Sequence, residues 1–135
     1  MFDLDAIARA AVVRMAASTG SSQTAARLSD VTVRVSNLPE GILGLASDAT
    51  IWIDDDASGY GWYIDATPYD DSEYTWTAST SMTAVANAAV DRADLLTAVM
   101  HEMGHVLGYE HADSTSLMAA ALPLGERRLL DANAT

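Results

Sequence analysis

His101-Glu102-Met103-Gly104-His105-Val106-Leu107-Gly108-Tyr109-Glu110-His111 contains every histidine of this 135-residue chain. On an α-helix residues four apart lie on one face, so His101 and His105 can aim their imidazoles at one metal ion. Glu102 sits about 100° further round the helix and can reach a metal-bound water without displacing a ligand, as a general base must. His111 cannot come from the same straight helix. The chain has to double back, and Gly108 supplies a residue that accepts positive φ at little cost. Three protein ligands leave a fourth tetrahedral position for water, the arrangement of a catalytic and not of a closed structural zinc site. Zinc in such a site lowers the pKa of its water to near 7 and polarises a scissile carbonyl. Glu102 would take the proton and pass it to the leaving amine. There is no cysteine, and every histidine is already committed, which leaves no paired histidine for a serine nucleophile.

A bare HExxH arises by chance in unrelated chains, but here a glycine and a third histidine stand at fixed offsets as well. The pattern also sits on a helix expected over Asp91 to Leu107, with Asp91 as N-cap and Asp94 near the positive end of the dipole. Leu96, Val99, Met100, Met103 and Leu107 recur at helical spacing as an apolar face, with His101 and His105 on the other side.

This motif resembles that of the metzincin zinc peptidases, in particular the matrixin-like branch. In that family a methionine turn runs beneath the metal, and Ser116-Leu117-Met118-Ala119 follows His111 at a short distance. The resemblance implies that Met118 forms a hydrophobic platform and no metal bond. Further upstream, Glu40 to Ala46 is similar to the stretch leading into the edge strand that borders the substrate cleft, and Ala49 to Asp56 to the next strand. Together these matches span most of residues 31 to 122. The fold implied is α+β and metzincin-like: a small twisted mixed β-sheet, a backing N-terminal helix, an active-site helix, a Met-turn and a short C-terminal helix. The function implied is zinc endopeptidase, with His101, His105 and His111 as metal ligands, Glu102 as general base and acid, and Gly108 and Met118 supporting the site. Substrate would add as a strand along Leu43, Gly44, Leu45 and Ala46. Its side chain would enter a pocket behind Met118 lined by Ala120 and Leu122. Ala119, Ala120 and Ala121 point to a roomy pocket for an apolar group, and Leu122-Pro123-Leu124-Gly125 to one of its walls.

The departures from the family pattern are as informative. Leu45 and Trp52 stand where matrixins place histidines for a second, structural zinc, so one Zn²⁺ is expected. The long metal-carrying loop is shortened to Asn37-Leu-Pro-Glu-Gly41. Asp54 matches a Ca²⁺-ligand position, but Ala57 stands at its partner glutamate, and acidic runs such as Asp54-Asp55-Asp56 more often form solvated turns than hard-cation sites. Calcium is left open. No tyrosine follows Met118 at the spacing where astacins and serralysins supply an extra ligand, although Ala112 after the third histidine fits none of the common families. Matrixins also carry two strands and a helix before the strand at Val31, where this chain has helices alone.

Nineteen acidic residues against seven basic, all arginine, give a net charge of −12. That balance argues against nucleic acid or an anionic membrane surface as partner. No stretch approaches the roughly 20 apolar residues of a membrane span, and the Met1 end lacks the order of a signal peptide. A secreted or cell-surface location follows from the resemblance, which extends to small matrixin-like domains of large bacterial surface proteins. Absence of cysteine excludes a cysteine-switch propeptide. Residues 1–135 read as a single, monomeric catalytic domain acting on a peptide or protein substrate, either reduced in itself or cut from a longer precursor that holds the missing strands. Two other functions stay open: a catalytically silent zinc-binding or adhesive module of a surface protein, and a zinc hydrolase acting on a non-peptide amide.

The remaining elements follow from periodicity. Leu4, Ile7, Ala8, Ala11, Val12 and Met15 mark a helix over 3–17, and a second runs over Gln23 to Leu28. Val31, Val33 and Val35 alternate with polar residues as a strand. Ile42 to Ala46 and Thr50 to Asp54 form a hairpin-like pair around Ser47-Asp48. Ala57 to Val90 reads as turns and short strands about Trp62 and Tyr63, with Trp76 shaping the cleft, and Glu126 to Asp131 as the C-terminal helix.

Overall fold

A computed structural model describes residues 4–112 and 116–130. Two helices open the chain, α1 (Leu4–Thr19) and α2 (Ser22–Ser29), joined at a tight break where the Ser21 side chain accepts from the Gln23 N–H and caps α2. A three-stranded sheet follows, built from β1 (Thr32–Ser36), β2 (Gly44–Ser47) and β3 (Thr50–Asp54) in the order β1-β3-β2. β1 runs parallel to β3, and β2 antiparallel to it with Ser47 opposite Thr50. The expected hairpin therefore forms, turning through Asp48 at φ +54°. β3 is central because Ile51 and Ile53 are apolar and fully buried on one face, where they meet the helices. β2 is left as an edge.

Residues 55–94 form short elements: β4 (Trp62–Tyr63), β5 (Tyr74–Trp76), β6 (Ser81–Ala84), α3 (Asn87–Val90) and β7 (Ala93–Asp94). Trp62 anchors this segment by donating its indole N–H to the Asp54 carbonyl at 2.8 Å. α4 (Leu95–Val106) carries the histidine pair and packs against α1, β2 and β3. The core lies between them, with Ile7, Ala11 and Met15 of α1 against Leu96, Val99, Met100 and Met103 of α4. The apolar stripe read on α1 is thus a packed face. No helix among the described residues is long and apolar enough to cross a membrane.

Two expected boundaries differ. The active-site helix starts at Leu95 with Asp94 at its N-cap, while Asp91 closes α3. The reason is tertiary: β7 pairs with β4, and the Asp94 carboxylate is taken by Arg127 and by the Thr97 hydroxyl. The C-terminal helix is replaced by β8 (Glu126–Arg128), which pairs antiparallel with β6 in a second three-stranded sheet, β5-β6-β8. Three helix-compatible residues are overridden by a free strand edge and by the carboxylates that surround Arg127. Asp131 lies outside the described residues.

Candidate metal centre and substrate cleft

α4 is buried on almost every side, including Glu102, and opens to solvent at His101 and His105. The separation of core and site read from the sequence is therefore narrower than a two-faced helix. One turn beyond, Gly108 takes φ +98° and reverses the chain, and the Tyr109 N–H returns to the Gly104 carbonyl. His111 comes back beside the other two. The three imidazole ring centres lie 4.8, 5.0 and 5.4 Å apart, and a potential ligand atom on each falls within 4.8 Å of the others.

The ring nitrogens are oriented from behind. Nδ1 of His101 donates to the Leu117 carbonyl at 2.8 Å and Nδ1 of His105 to the Tyr109 carbonyl at 3.0 Å. Protons on Nδ1 leave lone pairs on Nε2, and these two Nε2 atoms face each other at 3.2 Å. Two nitrogens at tetrahedral angles around zinc, each 2.0–2.1 Å from it, would stand about 3.3 Å apart. The donor set therefore fits a zinc ion held by His101, His105 and His111. Burial holds the His101 imidazole below its usual pKa, outweighing the Leu117 carbonyl, and the neighbouring histidines push the same way. The neutral form that binds metal is thereby favoured.

Glu102 lies beside this centre, with Oε2 3.8 Å from His101 Nε2. Burial alone pushes its carboxyl up to about 7. A carboxyl poised there can both accept and return a proton near neutral pH. Edge strand β2 passes directly over it: a methyl group placed on Gly44 would meet Glu102 Cγ at 3.0 Å. Under the centre, Ser116 to Ala119 forms a turn closed by Ala119 N–H to Ser116 O, and Met118 O receives the Ala112 N–H. Met118 is 4 % exposed and its sulfur presses on the α4 backbone at Gly104, where any β-carbon would collide with it.

A cleft of about 400 Å³ adjoins Glu102 and His101. Among the expected substrate residues, Leu43, Gly44, Ala120 and Leu122 line it, as do Ala119, Ala121, Pro123 and Leu124. Leu45 and Ala46 do not; they belong to edge strand β2, with Leu45 exposed. Trp76 does not shape the cleft either: it lies on β5 and is 55 % exposed. The reason is that β5 lies across β6 from β8, the strand of that sheet that supplies a residue to the cleft. Asp54 does not behave as a free metal ligand. Burial pushes its pKa up, but the N–H groups of Ser58 and Leu38 and the Asp56 side chain overcome that and hold it below the usual carboxylate range. Both its oxygens are engaged in closing the 37–58 loops. Asp54, Asp55 and Asp56 do cluster, with Asp55 and Asp56 exposed.

The sequence reading missed Arg127 and Arg128. Arg127 is fully buried and binds Asp94 through two hydrogen bonds, at 2.8 and 3.0 Å. It also reaches Asp71 at 3.0 Å and lies 4.5 Å from the centre of the Tyr74 ring. Asp65 Oδ2 is 3.0 Å from Arg127 Nη2, close enough for an ion pair but outside hydrogen-bonding geometry. Arg128, next to it, lines the cleft. The available signal was an arginine pair set among leucines in a chain with few cations.

The family comparison agrees with this geometry. The matrixin family model matches residues 56–132, which include α4, the histidine motif, the methionine turn and β8. This chain belongs to the matrixin family. The match begins after β3, so the resemblance read at residues 40–55 lies outside it. No curated protein and no solved structure matches this matrixin domain.

Proposed function

We propose that this matrixin domain is a zinc-dependent endopeptidase. The observation that carries the reading is the pair of Nε2 atoms 3.2 Å apart, each imidazole locked from behind by a carbonyl, with a buried carboxyl alongside. His101, His105 and His111 would hold the metal. Bound zinc would supply Lewis acidity toward a peptide carbonyl and toward water.

The chain's own residues do the rest. β2 offers a free edge to an extended peptide, so main-chain hydrogen bonds align the substrate over Glu102. Glu102 takes a proton from the attacking water as the new C–O bond forms, then delivers it to the amine nitrogen as the C–N bond breaks. The Met118 platform keeps the histidine end of α4 from shifting. Secretion, expected of the family, is part of the same proposal.

The test is digestion of a mixed peptide library by the zinc-loaded protein beside a chelated sample and Glu102→Ala. Cuts that disappear in both controls are expected, with Glu102→Ala down by roughly 10²–10⁴-fold. One zinc per chain without any cleavage would replace this reading by a silent zinc-binding module.

A further inference from the structure

We propose that the cleft selects an acidic side chain at the residue just after the scissile bond, and that Arg128 is the group that recognises it. The inference rests on the endopeptidase reading for where the peptide lies. It replaces the purely apolar pocket that Ala119 to Ala121 suggested.

The pocket walls are apolar and small, from Ala98, Leu117, Ala119, Ala120 and Leu122. The lining also includes Ser58, Tyr60, Thr97, His101 and Glu102, and Arg128 is the one guanidinium in it. Its backbone N–H is fixed to Thr97 Oγ1 at 3.1 Å, and Thr97 is itself a lining residue tied to Asp94. The side chain is 4 % exposed, so this cation is held inside the protein rather than in solvent. Its partners are sparse. Nη1 donates to the Ser116 carbonyl and Nη2 to Glu126 Oε1, both at 3.2 Å, and the buried Nε has no partner among the described residues.

The contrast with Arg127 shows what is missing. Arg127 meets two carboxylates that are themselves fully buried, Asp94 and Asp65, and a third on Asp71. Among the described residues Arg128 has one, a single oxygen of Glu126 whose side chain is 29 % exposed and outside the cleft lining. A guanidinium carries five N–H donors and binds carboxylates best in pairs of bonds. A glutamate or aspartate entering the pocket would meet a cation whose desolvation has already been met by the fold. A lysine would meet like charge there. Bulk electrostatics cannot imitate this preference, because the net charge of −12 repels acidic peptides in general.

The experiment uses the zinc-loaded full chain and peptides identical except for Glu, Gln, Met or Lys after the cut bond. Glu over Met is expected by about tenfold in kcat/KM, with Lys last. Arg128→Met should erase the Glu advantage, Arg128→Lys should restore part of it, and Glu126→Gln should enlarge it by freeing the guanidinium. The same peptides are titrated calorimetrically into zinc-loaded Glu102→Gln, so that binding is read without cleavage. Tighter binding of the Glu peptide there, with no cutting by the wild type, would sustain the pocket and sink only the endopeptidase reading. Glu peptides handled no better than Met peptides, or a Glu advantage unchanged in both Arg128 variants, would overturn the proposal. If Arg128→Met does not fold, a Glu:Met ratio that fails to rise in Glu126→Gln overturns it equally.

Discussion

At the N-terminal end of α4, Arg127 finds its countercharges inside the protein, on Asp94, Asp65 and Asp71, whereas at the other end His101 and His105 turn bare Nε2 atoms toward each other. Both centres are polar, and both sit on one helix. The first is closed: its charges are matched inside the protein, with Arg127 fully buried against Asp94 and Asp65. The second is held rigid from behind and left unanswered in front. A fold spends its internal hydrogen bonds on orientation at the site and on neutralisation at the knot. What distinguishes function from structure here is whether the charges are matched from within, and Arg128, beside the knot and among the residues lining the cleft, is the group our proposal places on the functional side of that division.

The closed centre should respond to mutation through stability alone. Arg127→Met leaves Asp94 and Asp65 as uncompensated buried carboxylates, and a loss of about 3–5 kcal/mol is expected in urea unfolding, with and without zinc. A loss below about 1 kcal/mol would mean that the knot relaxes by admitting water, and the comparison fails. The open centre should do the opposite. His105→Ala removes one proposed ligand from a half-exposed position, so metal-free stability should change by about 1 kcal/mol or less. The stabilisation that zinc confers, about 4 kcal/mol when free metal exceeds Kd a thousandfold, should be almost wholly lost. Melting curves with zinc and with chelator measure both numbers.

How much of this was legible in the chain follows from range. The histidine centre occupies eleven consecutive positions, and helical period plus one glycine turn is enough to bring His101, His105 and His111 together. The hairpin of β2 and β3 was equally local. Arg127 and Asp94 are 33 residues apart, and no periodicity announces their pairing. That contact, with the β7–β4 and β8–β6 pairings, decides why α4 starts at Leu95 and not near Asp91, and why Glu126 to Arg128 is strand and not helix. Each misplaced boundary is a place where a distant partner outbid a local preference. Arg128 escaped notice for the same reason: the alanines of the pocket are contiguous, but its cation arrives on β8.

Glu102 belongs to the open centre yet is buried like a member of the closed one, which sharpens the comparison. Burial raises its carboxyl from 4.5 to about 7. Without metal, the folded chain therefore keeps a proton between these values that the unfolded chain has released. The contribution of Glu102 to stability must fall as pH rises from about 4.5 to about 7, then level off. Glu102→Gln removes this dependence. In chelator at pH 8 the glutamine variant should be more stable than the wild type by roughly 3 kcal/mol, and at pH 4 the two should coincide. A difference that does not vary with pH would show that Glu102 is not desolvated, and that the carboxyl is as open as the histidines.

The smallest effect concerns the platform between the two ends. In an exposed helix Gly→Ala stabilises by about 1 kcal/mol, because alanine gives up less backbone entropy. At Gly104 the new methyl would land on the Met118 sulfur. Overpacking of a well-filled site costs about 1–3 kcal/mol, so the sign should reverse and Gly104→Ala should be destabilising by about 1 kcal/mol. The side chain that must yield is Met118, which is flexible and adaptable. The strain should therefore move the turn that bears the Leu117 carbonyl, and with it the His101 Nδ1 bond. Gly104→Ala should weaken zinc binding severalfold beyond what its stability loss explains, and the double variant Gly104→Ala, Met118→Ala should recover that affinity by making room. Recovery of stability without recovery of zinc affinity would place the methionine among the core residues only, with no part in holding the metal centre in shape.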